Sequence, residues 1–214
     1  MIGNKDVVLW DWNGTLLNDI DVCLEAMNIL LKRRNLELLD IERYRDVFDF
    51  PVKKYYSRLG FDFEKEAFEI PAIEFIVEYK KLLHKSSVFE DVVDTLMKIK
   101  ETGAKQYIVS AMESKALKKS VAERDIEPYF NDIYGIEDDY AHGKSHLLKK
   151  LLSRIETNPQ KVVMIGDTIH DYEIAKEAGI DILLVARGHQ SVARLKNTGA
   201  IVLNDFTNLF NGAF

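Results

Sequence analysis

Two short acidic clusters carry most of the chemistry this sequence could perform. The first is Asp11-Trp12-Asn13-Gly14-Thr15-Leu16, directly after the apolar run Val7-Val8-Leu9-Trp10. A carboxylate at the tip of a buried strand can act as a nucleophile or ligate a metal, and Gly14 permits a tight turn beside it. The plain alternative is a strand that closes in an ordinary Asn-Gly turn. The second cluster is Gly166-Asp167-Thr168-Ile169-His170-Asp171, after Val162-Val163-Met164-Ile165. Asp167 falls at a strand tip and Asp171 four residues on, in the first turn of a helix, so both carboxylates face one spot. A hard cation such as Mg2+ takes oxygen ligands of this kind and keeps several waters. Acids that merely cap a helix N-terminus are the competing explanation. Ser110 closes the run Gln106-Tyr107-Ile108-Val109, and Lys144 opens a helix after His142-Gly143. A hydroxyl and an ammonium can both hold phosphoryl oxygens, although residues at such positions are usually just solvated.

The elements that must position these groups can be read from periodicity. Residues 5–10, 106–109, 162–165 and 182–185 are continuous apolar runs, with weaker ones at 132–134 and 201–203. Continuous rather than alternating apolar character marks parallel strands covered on both faces. Amphipathic helical patterns lie between them, at about 91–102, 114–124, 144–155 and 169–178. Alternating strand and helix predicts an α/β fold with a doubly wound parallel sheet and right-handed crossovers. Residues 18–85 depart from this rhythm: they read as helical throughout, punctuated by Pro51 and Pro71. That is far more chain than a crossover needs. It predicts an inserted α-helical cap domain (18–85) on a core formed by 1–17 and 86–214, joined near 16–19 and 86–89, with the two joints serving as a hinge.

The combination resembles the haloacid dehalogenase-like hydrolase superfamily, in particular its phosphoglycolate-phosphatase-like members with a helical cap. The resemblance rests on DWNGTL, Ser110 after YIV, Lys144, GDTIHD and the later LLVARGHQS. It implies that Asp11 is the nucleophile forming an aspartyl-phosphate, and that Gly14, Thr15, Ser110, Ala111 and Lys144 surround the substrate's phosphate. It further implies Mg2+ held by Asp11, Asp167 and the backbone carbonyl of Asn13, with Asp171 acting through water or by orienting Lys144. Phosphoryl transfer needs mainly positioning and charge neutralisation, which such a set supplies.

Asn13 breaks the family's pattern, which has a second aspartate there to protonate the leaving group and activate water. An amide donates hydrogen bonds but exchanges no proton at neutral pH, and acid–base help is typically worth about 10²–10⁴-fold. Three readings follow. One is a phosphatase of a small phosphorylated metabolite, slowed by Asn13 or suited to acyl or aryl phosphates whose leaving group needs no proton. A second is C–P bond hydrolysis with Lys53 or Lys54 of the insert as a Schiff base. The third is a phosphometabolite-binding or regulatory protein that has lost turnover. Dehalogenation fits less well, because Asp167 and Asp171 suit a metal that reaction does not use.

Composition sets outer bounds. The 214 residues carry 29 Lys+Arg against 35 Asp+Glu, a net charge of −6, so nothing draws the chain as a whole to nucleic acid or anionic lipid. No run approaches the roughly 18–20 apolar residues of a membrane span, and no signal-peptide layout opens the chain. The single cysteine, Cys23, can form no internal disulfide. A cytoplasmic monomer or homodimer is the expectation. His84, His142, His146, His170 and His189 show no zinc-ligand spacing and no accompanying cysteine, so they read as surface or site-edge residues. Phe48, Phe50, Tyr55, Tyr56, Phe61 and Phe63 read as packing of the insert. Arg45, Lys53, Lys54 and Arg58 read as a solvated basic face.

Overall fold

The first strand, β1 (Val7–Trp10), is buried along its whole length. Its side chains alternate between two separate cores: Val8 and Trp10 enter one, Val7 and Leu9 the other. A strand sandwiched in this way must be apolar at every position, which is why the run is continuous. The structure is a computed structural model describing residues 1–137 and 144–210. After β1 the chain forms β2 (Leu17–Asn18), then helices α1 (Ile20–Arg33), α2 (Ile41–Val47), α3 (Val52–Arg58) and α4 (Glu69–Leu82), and returns through β3 (Ser87–Val88). It continues as α5 (Val92–Glu101), β4 (Lys105–Glu113), α6 (Ser114–Ala122), β5 (Asp132–Ile136), α7 (Lys144–Leu152), β6 (Val162–Gly166), α8 (Ile169–Glu177), β7 (Asp181–Val185), α9 (Val192–Lys196) and β8 (Ile201–Leu203).

Six strands form one parallel sheet in the order β5-β4-β1-β6-β7-β8. Apolar residues of α5 and α6 cover one face, and those of α7, α8 and α9 cover the other. This is the doubly wound α/β architecture expected from the sequence. β1 lies between β4 and β6, where the winding reverses, so the crevice for a ligand opens beyond the C-terminal end of β1.

Residues 18–85 are not helical throughout. Four helices are separated by the connections 34–40, 48–51 and 59–68, because Asn35 takes a left-handed φ of 52° and the 48–51 and 59–68 segments carry no helical ladder. Pro71 does not interrupt: it sits in the first turn of α4, where its missing N–H costs nothing. The insert has a core of its own, built from Met27, Leu30, Leu31, Tyr44, Tyr55, Tyr56 and their neighbours. At its base β2 and β3 pair antiparallel, Leu17 with Val88 and Asn18 with Ser87. The two connections thus lie side by side.

Candidate active site

β1 delivers Asp11 to the sheet edge: its backbone N–H donates to Ile165 O at 2.9 Å, prolonging the β1–β6 ladder by one bond. The chain then turns sharply, with the N–H groups of Leu16 and Leu17 both donating to Trp12 O. Gly14 takes φ +70°, a conformation L side chains rarely adopt. A Cβ there would lie 2.4 Å from Asp167 Oδ2 and 2.6 Å from His189 Cδ2, so glycine also lets the two loops meet. At Gly188 a Cβ would again fall on the Asp167 carboxylate.

Asp11, Asp167 and Asp171 converge, each presenting a carboxylate oxygen within 4.8 Å of the others, and all three are buried. Lys144, 3% exposed at the start of α7, pairs with Asp11 Oδ1 and with Asp171 Oδ1, the latter at 2.5 Å. The Thr15 hydroxyl lies 3.3 Å from Asp11 Oδ2 and 3.2 Å from Asp167 Oδ1. Asp167 Oδ2 accepts from the backbone N–H of His189 at 2.6 Å. Asp171 Oδ2 accepts from the N–H groups of Asp167 and Thr168 and from the Thr168 hydroxyl, while Thr168 caps α8 in return. With Lys144 on its other oxygen, Asp171 is occupied as a cap and as the orienter of the lysine. The capping explanation of GDTIHD thus holds for Asp171, which also pairs with Lys144.

The electrostatics follow from burial. Burial, with the nearby Asp171 and Asp167 charges, pushes the Asp11 carboxyl up to about 8 against the pull of Lys144. Burial and Asp171 likewise raise Asp167 to about 6. Asp171 goes the other way: burial is outweighed by Lys144 and the hydrogen bonds to its carboxylate, which hold it below its ordinary value. Burial opposes the charge on Lys144, but Asp11 and Asp171 overcome it and raise its pKa. Three carboxylates facing one ammonium leave an excess of negative charge, which a divalent cation would neutralise.

Ser110 stands beside Asp11 on the neighbouring strand, 1% exposed, with its oxygen accepting from Met112 N at 3.1 Å. β4 runs on past the expected end at residue 109, and its register with β5 shifts between Val109 and Glu113. That irregularity turns Ser110, Ala111 and Met112 toward the site, as bulges beside active sites do. Ser110, Ala111, Lys144, Asp11, Asn13, Asp167 and Asp171 all line one cavity of about 340 Å³. Its opposite wall is apolar, with Phe48, Phe50 and Val52 from the α2–α3 region and Phe75 and Ile76 from α4.

Asn13 is held by the insert. Its amide nitrogen lies 2.7 Å from Asp19 Oδ2 and 2.8 Å from the Tyr79 hydroxyl. Asp19 is fully buried and also accepts from Gly14 N–H and Tyr79 O–H. His189 Nε2 is 3.4 Å from Asp19 Oδ1, and the Tyr44 hydroxyl is 2.8 Å from His189 Nδ1. Burial resists a charged His189, but Asp19 holds its pKa up at about 9. Burial likewise opposes ionisation of Asp19, yet His189 and its hydrogen bonds keep it below its ordinary value. Sequence reasoning missed Asp19 and Tyr79 as site residues and gave His189 only as a surface or site-edge residue, whereas it is buried in the cavity wall. The legible traces were an acid just before a helical run and the motif LLVARGHQS.

Several other expectations are corrected. Cys23 and His189 do come together, with Asp19, because helix α1 and the loop after β7 pack on each other. His84 and His146 are exposed and His170 is half-buried at the cavity edge, in keeping with their reading as surface or site-edge residues, while His142 lies outside the described residues. Lys53 and Lys54 are exposed on α3 and do not line the cavity, the former lying 5.6 Å from the centre of the Phe63 ring. The only lysine of the insert along the cavity among the described residues is Lys80. The basic run is not one solvated face either: Arg45 donates to the carbonyls of Arg187 and Gly188, and Arg58 pairs with Asp49. No described helix is long and apolar enough to cross a membrane.

Comparison with known proteins places this geometry. The family model described as haloacid dehalogenase-like hydrolase matches residues 8–185. Pyrophosphatase PpaX of Bacillus cereus (strain Q1) is 25% identical over 184 residues, covering 81% of this chain and 80% of that protein. The haloacid dehalogenase-like family protein SP0104 of Streptococcus pneumoniae has the same fold, with a TM-score of 0.85 at 20% identity over 97% of both chains. Protein Tyrosine Kinase A of Mycobacterium tuberculosis superposes with a TM-score of 0.81 at 18% identity over 96% of both chains.

Proposed function

Because the chain belongs to the haloacid dehalogenase-like hydrolase family, we propose that it is a Mg2+-dependent phosphatase of a small phosphorylated metabolite, working through an aspartyl-phosphate on Asp11. The observation that carries this reading is the buried Lys144 ammonium shared between Asp11 and Asp171 at the mouth of the cavity. Such an arrangement neutralises a carboxylate that must approach an anionic phosphate. The relatives' names, a pyrophosphatase and a tyrosine kinase, both denote phosphoryl chemistry.

The donor set fits a hard cation. Asp11 and Asp167 would hold Mg2+ with the backbone carbonyl of Asn13, while Asp171 stays on Lys144. When bound, the ion supplies charge neutralisation for phosphoryl oxygens. A carboxylate oxygen of Asp11 attacks phosphorus, the P–O bond to the leaving group breaks, and the electron pair leaves with the leaving group's oxygen. Ser110 and Lys144 hold the transferred group. Water then attacks phosphorus, the P–O bond to Asp11 breaks, and inorganic phosphate leaves carrying water's oxygen. The proton lost by water passes to the phosphate or solvent as the Asp11 carboxylate is regenerated. Asn13 offers no proton at either step, so a leaving group stable as an anion is favoured. The apolar wall of Phe48, Phe50, Phe75 and Ile76 favours one that is aromatic or otherwise apolar. Residues 18–85 act as the cap whose placement over the core selects it.

Phosphate release from a panel of alkyl, acyl and aryl phosphates with and without Mg2+ tests the reading. Aryl and acyl substrates should turn over with Mg2+, and Asp11→Asn should abolish release. Equal release by Asp11→Asn, or no release from any substrate, would overturn it.

A further inference from the structure

Asp19, Cys23 and His189 form a second potential ligand group in the molecule, distinct from the three clustered aspartates. We propose that these three residues are a binding site for a borderline-soft divalent cation of the Zn2+ type, which would clamp the first turn of the insert to the core. Asp19 and Cys23 lie one helical turn apart at the start of α1, where Cys23 N–H donates to Asp19 O. His189 comes from the loop after β7, 166 residues further along the chain than Cys23. All three are at least nine-tenths buried, yet all three line the cavity, which provides the entry path.

The spacing suits one ion held by His189 and Cys23 together with both oxygens of the Asp19 carboxylate. Usual zinc bond lengths place a ligating nitrogen and oxygen about 3.4 Å apart, and a sulfur and oxygen about 3.6 Å apart. Here His189 Nε2 is 3.4 Å from Asp19 Oδ1, Cys23 Sγ is 3.5 Å from Asp19 Oδ2, and every donor has a ligand atom within 4.8 Å of the others. The Tyr44 hydroxyl engages His189 Nδ1 at 2.8 Å and leaves Nε2 facing Asp19. An outer hydrogen bond of this kind is what orients imidazoles that bind metals. Without the ion, an imidazolium, a carboxylate and a thiol sum to zero charge. With it, the cation enters, one proton leaves the imidazolium and one leaves the thiol, and the sum is again zero. Thiolate and imidazole select against Mg2+, which prefers the all-oxygen set of Asp11 and Asp167. The proposal does not depend on the phosphatase reading.

Cobalt titration in saturating Mg2+ tests it directly. One equivalent of Co2+ should produce a thiolate-to-cobalt charge-transfer band, and Cys23, being the sole cysteine, is its only source. Cys23→Ala, checked for folding by circular dichroism, should lack the band. Tyr44→Phe should weaken Co2+ binding about 10–100-fold. In the unmodified protein, Zn2+ at ten times its Kd should slow alkylation of Cys23 about tenfold. A wild type without the band, a band that survives Cys23→Ala, or alkylation unaffected by Zn2+ would overturn the assignment.

Discussion

Asn13 and Asp19 are best understood as a pair. The amide at position 13 gives its hydrogens to a buried carboxylate and a tyrosine hydroxyl, so an acid at 13 would face an acid at 19. Two carboxylates in hydrogen-bond contact cannot both ionise. Asn13→Asp alone is therefore expected to lose about 1–3 kcal/mol of unfolding free energy with little gain on alkyl phosphates. Asn13→Asp with Asp19→Asn restores the contact with reversed polarity and should raise alkyl phosphate turnover about 10²–10⁴-fold. Urea unfolding beside steady-state kinetics checks both, and a single variant as stable and active as the double would refute the pairing. Asp11, Ser110, Lys144, Asp167 and Asp171 were legible in the sequence because each follows an apolar strand or opens a helix. Asp19 and Tyr79 were not, nor was the burial of His189, since their facing depends on how the insert packs on the core.

At the level of elements, the site is held by loops that touch. Gly188 leaves room for the Asp167 carboxylate, where a Cβ would lie 2.0 Å from Oδ2. Gly188→Ala is expected to displace Asp167 and weaken Mg2+ binding by at least about tenfold, about 1.4 kcal/mol, as read by calorimetry; unchanged affinity would show that the loop yields. Thr168 caps α8 and also donates to Asp171. Thr168→Ala should cost about 1–2 kcal/mol in thermal unfolding and lower kcat more than it raises KM, because Lys144 loses a fixed partner. The six strands of the sheet and helices α5, α6, α7 and α8 were readable from their periods, whereas α9 is only five residues long and leaves no such period. The register shift in β4 was not: pairing with β5 sets it, and a continuous apolar run carries no mark of it.

Across the whole molecule, the segment after β8 braces the site from behind. Phe206 packs on Trp10 with ring centroids 5.1 Å apart, and the Arg187 guanidinium carbon lies 4.1 Å from the centre of its ring and 4.0 Å from that of Phe89. Arg187 in turn donates to Thr15 O and pairs with Asp91. Phe206→Ala should cost about 3–5 kcal/mol in denaturant unfolding, far more than truncation of an exposed aromatic. A loss below about 1 kcal/mol would show that the segment is dispensable. The break that residues 18–85 make in the strand–helix alternation was visible from their length alone. The apolar wall that Phe48, Phe50, Val52, Phe75 and Ile76 give the cavity was not, because which helical face points inward is a property of packing.

The pairing of Leu17–Asn18 with Ser87–Val88 has an evolutionary corollary. Both ends of the intervening segment leave the sheet within one rung of a ladder, so a single recombination cassette could replace everything between them. Substrate preference can then drift by wholesale exchange, while the reacting groups keep their places on the parallel strands.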